Sequence, residues 1–453
     1  MENRKPLFTR RELYALLFPI VLENLLTSLM GTVDTMMVSR AGEAAVSAVS
    51  LVDSVNILMI NLFSSMASGG CIVCSQYMGR QDLREAESTA RQVMLSITGL
   101  ASVVALGCVA FRKPLLQLLF GQVETAVMEG SLTYMWVTAL SFPFLALYSA
   151  GAGVSRATGD SRLPMYISLI GNAINIGGNA LLIFGFHMGV MGVALPTLVS
   201  RMVNGALMTW CLRRGRTRLK LSSLLRTRPD WQRIGLTLRI GIPSGVEGSM
   251  FQLGKLVIQS TISAMGTVAL AANAITAAVE GLTSQAALGV GSALTTVVGV
   301  CMGAGRPEEA RKNIRWHIKL GYVFTFSSDM LCILLMRPIV VLAGLSSEAA
   351  DLAVHMNLII CLVKSVFWVP SFVPVAGMRG AGDVKFSMLA SSLTMWFCRV
   401  AVTLVCARVF PEIGPMAMWI GMFSDWCVRG IVYGVRLFSG KWMRNRVLKG
   451  EGE

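Results

Sequence analysis

The sequence predicts an all-α polytopic membrane protein, with twelve transmembrane helices in two six-helix lobes related by a parallel pseudo-two-fold repeat. Three observations carry that prediction. Only 14% of the 453 residues are charged, while 54% are apolar, and a soluble fold of this length needs far more polar surface. Apolar stretches of about 20 residues recur along the whole chain, each able to cross about 30 Å of hydrocarbon as a helix. The two halves also repeat one another at a nearly constant spacing. The net charge of +15 has the sign a nucleic-acid binder would have. It does not supply the missing polar surface, so no nucleic-acid partner is expected.

Taken in order, the first span (13–38) follows Arg4, Lys5, Arg10 and Arg11, as a signal peptide would. Its apolar run is too long for one and carries Glu23 and Asp34, which predicts an uncleaved first helix. The second span (46–78) and the eighth (270–301) are too long to cross straight, so each is expected to tilt or bend. The third (94–110), fourth (131–154), fifth (163–184) and sixth (189–212) complete the first half. The seventh (240–265), ninth (320–336), tenth (352–378), eleventh (386–407) and twelfth (416–438) complete the second.

Lys and Arg set the orientation. With the N-terminus inside, 29 of the 40 cations fall in inner segments and 5 in outer loops, namely Arg40, Arg112, Lys113, Arg337 and Arg408. Both termini are then cytoplasmic, and the expected location is the plasma (inner) membrane. Six cations lie inside spans. Arg201, Arg429 and Arg436 sit in inner halves, from which they can snorkel to the inner face; Lys255, Lys364 and Arg399 are the others.

Pro19-Ile-Val-Leu-Glu23 and Pro243-Ser-Gly-Val-Glu247 stand 224 residues apart, as do Gly42 and Gly266, and Met78-Gly79 and Met302-Gly303. Arg156-Ala-Thr-Gly-Asp160 matches Arg379-Gly-Ala-Gly-Asp383 at an offset of 223. Six spans return the chain to its starting side, so the halves run parallel, as in parallel-repeat transporters. The organisation read from this is an N-terminal lobe (1–212), a basic cytoplasmic linker (213–239), a C-terminal lobe (240–440) and a cytoplasmic tail (441–453). The linker has nine cations and one acid, a composition suited to anionic lipids at the inner face.

These motifs together resemble the multidrug and toxic compound extrusion (MATE) transporters, from about residue 10 to residue 438. The likeness rests on Pro19, on Asp34-Thr-Met-Met-Val-Ser-Arg-Ala-Gly42, on Met78-Gly79, on Gly159-Asp160 and on their second-half copies. The Asp34 pattern resembles the DinF-like branch. The resemblance implies a V-shaped pair of six-helix lobes, and the chain is expected to act as a monomer. It also implies export of small organic cations or amphipathic drugs against inward H+ or Na+.

An ionisable residue inside a span costs at least about 2.5–3.5 kcal/mol and is a functional candidate by default. Seven acids qualify: Glu23, Asp34, Asp53, Glu247, Glu280, Asp329 and Asp425. Asp34 ranks first, flanked by Val33 and Met36-Met37-Val38, where desolvation favours a carboxyl that holds a proton until a donor or cation displaces it. The repeat sharpens this choice, because Asp34 maps onto Ile258. Asn175 and Asn179, four apart on one face of the fifth span, map onto Cys398 and Val402, and Thr197 maps onto Ile420. Such one-sided polarity points to a proton or cation site in the N-terminal lobe. By resemblance, these four positions match a site that the relatives build around their first-helix aspartate. Asn179 replaces the family's second aspartate, which removes a charge that Na+ would favour and makes H+ the expected coupling ion.

Glu23 and Glu247 are repeat twins, and they are candidates for a lobe–lobe contact, a cavity wall or substrate attraction. Lys255, Lys364 and Arg399 are expected to neutralise Glu247 or Glu280, and all six are possible cavity or gating residues. Asp53, Asp329 and Asp425 have no motif and are expected to face a cavity or an interface. Many of the 28 Met lie in spans (Met30, Met36, Met37, Met59, Met66, Met250) and suit either a permissive cavity or plain packing. In the 156–160 and 379–383 turns the glycine allows a tight turn, and the acid can cap the next helix or pair with an Arg.

Cys71-x-x-Cys74 has no second pair and sits in an apolar helix, which favours packing over a metal. The histidines His187, His317 and His355 are too far apart for a recognisable metal set. There is no phosphate loop and no catalytic constellation, so no cofactor, no metal and no enzymatic activity are expected. The leading reading is a secondary antiporter, and the alternative is a lipid-linked oligosaccharide flippase of the same superfamily.

Overall fold

The computed structural model describes residues 5–38, 42–121, 124–221, 227–263, 265–445 and 447–448. Arg4, the Ser39-Arg40-Ala41 stretch of the first-helix motif, Arg226 in the linker, and Arg446 and Lys449 in the tail lie outside the described residues.

Each predicted span coincides with a helix. The first three are α1 (Arg10–Val38), α2 (Glu43–Gly79) and α3 (Leu83–Ala110), followed by a short α4 (Arg112–Phe120). The fourth is a pair, α5 (Thr125–Leu140) and α6 (Phe142–Ala157); the fifth is α7 (Arg162–Asn179), extended by a π-helical turn at Ala180–Gly185; the sixth is α8 (Gly189–Arg213). The second half runs α9 (Trp231–Ser263), α10 (Thr267–Gly303), α11 (Pro307–Leu342) and α12 (Ser347–Gly380). Its eleventh span is α13 (Val384–Leu393), a π-helical stretch (Thr394–Val400) and α14 (Ala401–Val409), and the twelfth is α15 (Met416–Phe438).

Among the described residues nine of these spans are long and apolar enough to cross a membrane, and α5 with α6 makes a tenth. Helices α9 and α15 do not reach the same apolar level, as follows from Glu247 and Lys255 in one and Asp425, Arg429 and Arg436 in the other. Helices α2 and α10 are each continuous at 37 residues. The 43° bend lies between α5 and α6, where Pro143, in the first turn of α6, has no N–H for the preceding turn.

By packing, the chain divides into two compact units, Phe18–Gly245 and Met1–Leu17 with Val246–Glu453. The N-terminal segment joins the second unit because the Leu7 N–H donates to Glu309 Oε1 at 2.6 Å and Arg306 Nη1 donates to the Lys5 carbonyl at 2.9 Å. Arg10 stacks over Trp316, 4.8 Å from its ring centroid. The linker joins the first unit. Arg233 grips Glu85 at 3.0 Å, and Gln92 accepts from the Asp230 N–H at 3.1 Å and donates to the Arg228 carbonyl at 2.8 Å. Gly69 of α2 and Gly241 of α9 meet backbone to backbone, so close that a Cβ on Gly69 would lie 2.8 Å from the Gly241 nitrogen.

Each unit repeats the other's internal packing. Helix α2 contacts α3 and α6, and α6 and α7 contact α8; likewise α10 contacts α11 and α12, and α12 and the 394–409 stretch contact α15. Apolar side chains also face outward, as a lipid-facing surface requires. On α3, Val103 and Leu106 are 67% and 70% exposed, while Ala101 and Ala105 are buried.

Candidate functional site

The four polar positions of the first half come together inside the first unit. Gly178 has no side chain, so Pro196 of α8 fits against α7; a Cβ on Gly178 would sit 2.7 Å from the proline ring. That contact brings Asn175 and Asn179 alongside Thr197. Asn179 is fully buried, and its Nδ2 donates to Asp34 Oδ1 at 2.9 Å. With the Asn175 amide in the orientation that satisfies its neighbours, its nitrogen lies 3.0 Å from both Asp34 oxygens and its oxygen accepts from Thr197 Oγ1 at 3.2 Å. Thr197 Oγ1 also lies 3.0 Å from the Val193 carbonyl. The half-buried Asp34 therefore faces amide nitrogens from one helix, while the Asn179 oxygen has no hydrogen-bond partner.

A second acid stands near this group, with no sequence motif to signal it. Asp53 of α2 accepts from Tyr134 Oη at 3.2 Å and from Asn56 Nδ2 at 3.0 Å. Asp53 is thus held within its own unit by hydrogen bonds from α2 and α5. Arg201, expected to snorkel, instead donates to Ser141 Oγ at 2.8 Å, at the α5–α6 bend.

The twin glutamates form twin ion pairs. Arg156 Nη2 donates to Glu23 Oε2 at 2.8 Å, and Tyr148 Oη donates to Glu23 Oε1 at 2.8 Å. In the second unit Arg379 Nη2 donates to Glu247 Oε1, and Arg379 Nε donates to Ser387 Oγ at 3.0 Å. This corrects the expectation that Lys255, Lys364 or Arg399 neutralises Glu247. The partner is the arginine of the adjacent turn, because Arg156 and Arg379 occupy repeat positions like the glutamates they meet. The turns themselves use Gly159 (φ 87°) and Gly382 (φ 92°), in the left-handed region glycine favours. Asp160 then caps α7, accepting from the Arg162 and Leu163 N–H groups at 3.0 and 3.2 Å. Asp383 instead pairs with Arg436 at 2.8 Å.

Of the remaining intramembrane charges of the second unit, Lys364, Asp329, Arg399, Asp425 and Arg429 are buried and paired. Lys364, 1% exposed, lies 3.4 Å from Asp329 and 3.8 Å from Glu280, and donates to Thr283 Oγ1. Glu280 Oε1 also accepts from Ser284 at 2.6 Å. Arg399 and Arg429 each reach Asp425 at 2.9 Å. Asp329 and Asp425 are 2% and 0% exposed, so they do not face an open cavity, and Arg429 does not snorkel. Lys255 pairs with no carboxylate among the described residues; its ammonium lies 5.1 Å from the Phe251 ring centroid. Cys71 and Cys74 are buried in α2 and form no disulfide.

Two repeated helical units of membrane-spanning length, with ionisable groups held inside them, define an integral membrane protein built from an internal repeat. The family model described as MatE matches residues 19–181 and again 243–405. The chain belongs to that family, the MATE transporters. It is 27% identical over 451 residues to "Probable multidrug resistance protein NorM" of Thermotoga maritima, covering 98% of this chain and 95% of the relative. It is 28% identical over 450 residues to "Multidrug resistance protein PmpM" of Pseudomonas aeruginosa, covering 94% and 91%. Among solved structures, a MATE protein in complex with MaL6 superposes with a TM-score of 0.88 at 20% identity, covering 95% of this chain and 97% of that one. An outward-facing MATE transporter of the MOP superfamily superposes with a TM-score of 0.87 at 20% identity, covering 95% and 96%.

Proposed function

We propose that the protein is a secondary antiporter that exports organic cations or amphipathic compounds in exchange for inward H+, with Asp34 as the coupling carboxylate. The observation that carries this reading is the convergence of Asn175 and Asn179 on Asp34, with Thr197 behind Asn175. A carboxyl among neutral amides and apolar helices changes its charge at each protonation with no fixed counter-charge beside it, so substrate and proton compete for one group. The relatives' names, as multidrug resistance proteins, support the substrate class.

The donor set favours H+ over Na+. Asp34 meets amide nitrogens, whereas a bare Na+ needs an oxygen cage with more negative charge. In this reading the lobes 1–212 and 240–440 work as a monomer in the plasma membrane, with both termini, the 213–239 linker and the 441–453 tail in the cytoplasm. The linker meets anionic lipids there, through the exposed Arg228 near the 79%-exposed Trp231.

The test is ethidium efflux in proteoliposomes under an imposed proton gradient, then under an imposed Na+ gradient. Efflux driven by the proton gradient and lost in Asp34→Asn is the expected result. Efflux that ignores both gradients would remove the antiporter reading. A lipid-linked oligosaccharide flippase is the second reading, favoured only by the cationic interior of the second unit; flipping of a fluorescent lipid-linked sugar without ethidium transport would establish it.

A further inference from the structure

We infer that the second unit holds an anion site, formed by Lys255 and Arg399 around Phe251, that takes the carboxylate of an amphipathic molecule. The site lies within that unit, whereas Asp34 belongs to the other.

Charge balance leads to it. Asp425 is shared by two guanidiniums, Arg399 at 2.9 Å and Arg429 at 2.9 Å. One carboxylate cannot neutralise both. Arg399 and Arg429 are 2% and 3% exposed, and the Nε of each has no hydrogen-bond partner. A buried guanidinium donor left unmade is costly. Glu280 lies near this group as well, and it shares Lys364 with Asp329, at 3.8 and 3.4 Å. Counting Asp329 as well, four cations face three acids in this interior.

Geometry shows where the missing anion fits. The Phe251 ring has the Lys255 ammonium 5.1 Å from its centroid and the Arg399 guanidinium 4.9 Å from it. Lys255 is exposed, so the group opens on its side. Two cations at one aromatic ring repel each other, and a carboxylate bridging them would relieve that repulsion while its apolar body lies against Phe251. Arg399 is held for this role by the π-helical stretch that carries it, and such π-helical segments frequently mark functional sites. Gly421 of α15 lies against the Arg399 carbonyl so tightly that a Cβ there would come within 2.5 Å of it.

The repeat argues against an inherited scaffold. The first-half positions matching Lys255, Arg399, Asp425 and Arg429 are Gly31, Ile176, Met202 and Ala206, none of them charged.

The test is calorimetric titration of benzoate into the purified full chain in detergent, with benzylammonium as the opposite-charge control. Benzoate should bind saturably and benzylammonium should not displace it. Lys255→Gln should weaken benzoate about tenfold, the loss of one charge-assisted contact, and Lys255→Arg should restore it to within about twofold. Benzoate that fails to saturate, or that binds Lys255→Gln as tightly as the natural chain, would overturn the assignment.

Discussion

The interiors of the two units carry opposite excess charge on the same helical frame. In the first, Asp34 and Asp53 meet neutral donors from Asn56, Tyr134, Asn175 and Asn179, while Arg201 donates to Ser141. In the second, Lys255, Lys364, Arg399 and Arg429 outnumber Glu280, Asp329 and Asp425. What both halves keep is the frame. Gly42 and Gly266 open α2 and α10 at φ 101° and 97°, and Glu23–Arg156 and Glu247–Arg379 fasten equivalent turns. The repeat therefore separates two jobs: positions that match hold the fold, and positions that differ hold the charge chemistry.

The largest effect should come from the carboxylate that only the first half has. Asp34→Asn should insert normally and leave thermal stability close to that of the natural chain, because its partners are neutral amides that accept a third amide. Ethidium efflux from intact cells should fall to the level of cells lacking the protein. Efflux that persists in this variant would break the comparison at its centre, since the first unit's acids would then be structural.

Asp425→Asn tests the other side. Here the acid holds two buried guanidiniums, and breaking such a pair costs about 3–5 kcal/mol. Thermal unfolding in detergent should show this loss clearly, in contrast to Asp34→Asn. Equal stability of the two variants would show that the buried charges of the second unit are not mutually dependent.

The span pattern was legible from hydropathy and from the placement of Lys and Arg, because lipid forces each crossing into a long apolar helix. The Asp34 group was legible for a different reason. Asn175 and Asn179 are four residues apart on one helix, and the repeat singles them out as polar where Cys398 and Val402 are not. The pairing of Glu247 with Arg379, the burial of Asp329 and Asp425, and the approach of Tyr134 to Asp53 were not legible. Each joins residues many positions apart, and helix packing rather than local spacing decides which faces meet. The 43° bend at Ser141 was hidden for a related reason: length pointed to α2 and α10, while Pro143 decided the site.

The next effect concerns the identity of the ion. Asn179→Asp would put a second carboxylate beside Asp34, 2.9 Å from where the amide now donates. Two carboxylates with Asn175 and Thr197 supply the oxygen charge Na+ requires. Na+ should then raise the unfolding temperature relative to choline at equal ionic strength, by up to about 2.7 kcal/mol of stability at a hundredfold excess over Kd. The natural chain should show no such difference. A Na+-specific shift already present in the natural chain would reverse the preference for H+.

The smallest effect separates positioning from stability. Thr197 does not touch Asp34; it orients Asn175 through the 3.2 Å contact to the amide oxygen. Thr197→Ala removes that contact, and hydrogen bonds between membrane helices contribute about 0.6 kcal/mol on average. Unfolding temperature should therefore barely move. Freed from Thr197, the Asn175 amide can turn its oxygen toward Asp34, where it repels a carboxylate and accepts from a carboxylic acid. The pH dependence of ethidium efflux should shift accordingly, and Thr197→Ser should restore it because it keeps the hydroxyl. An unchanged pH profile in Thr197→Ala would mean that Asn175 holds its orientation unaided, and that the polar twin of Ile420 packs helices without tuning the carboxyl.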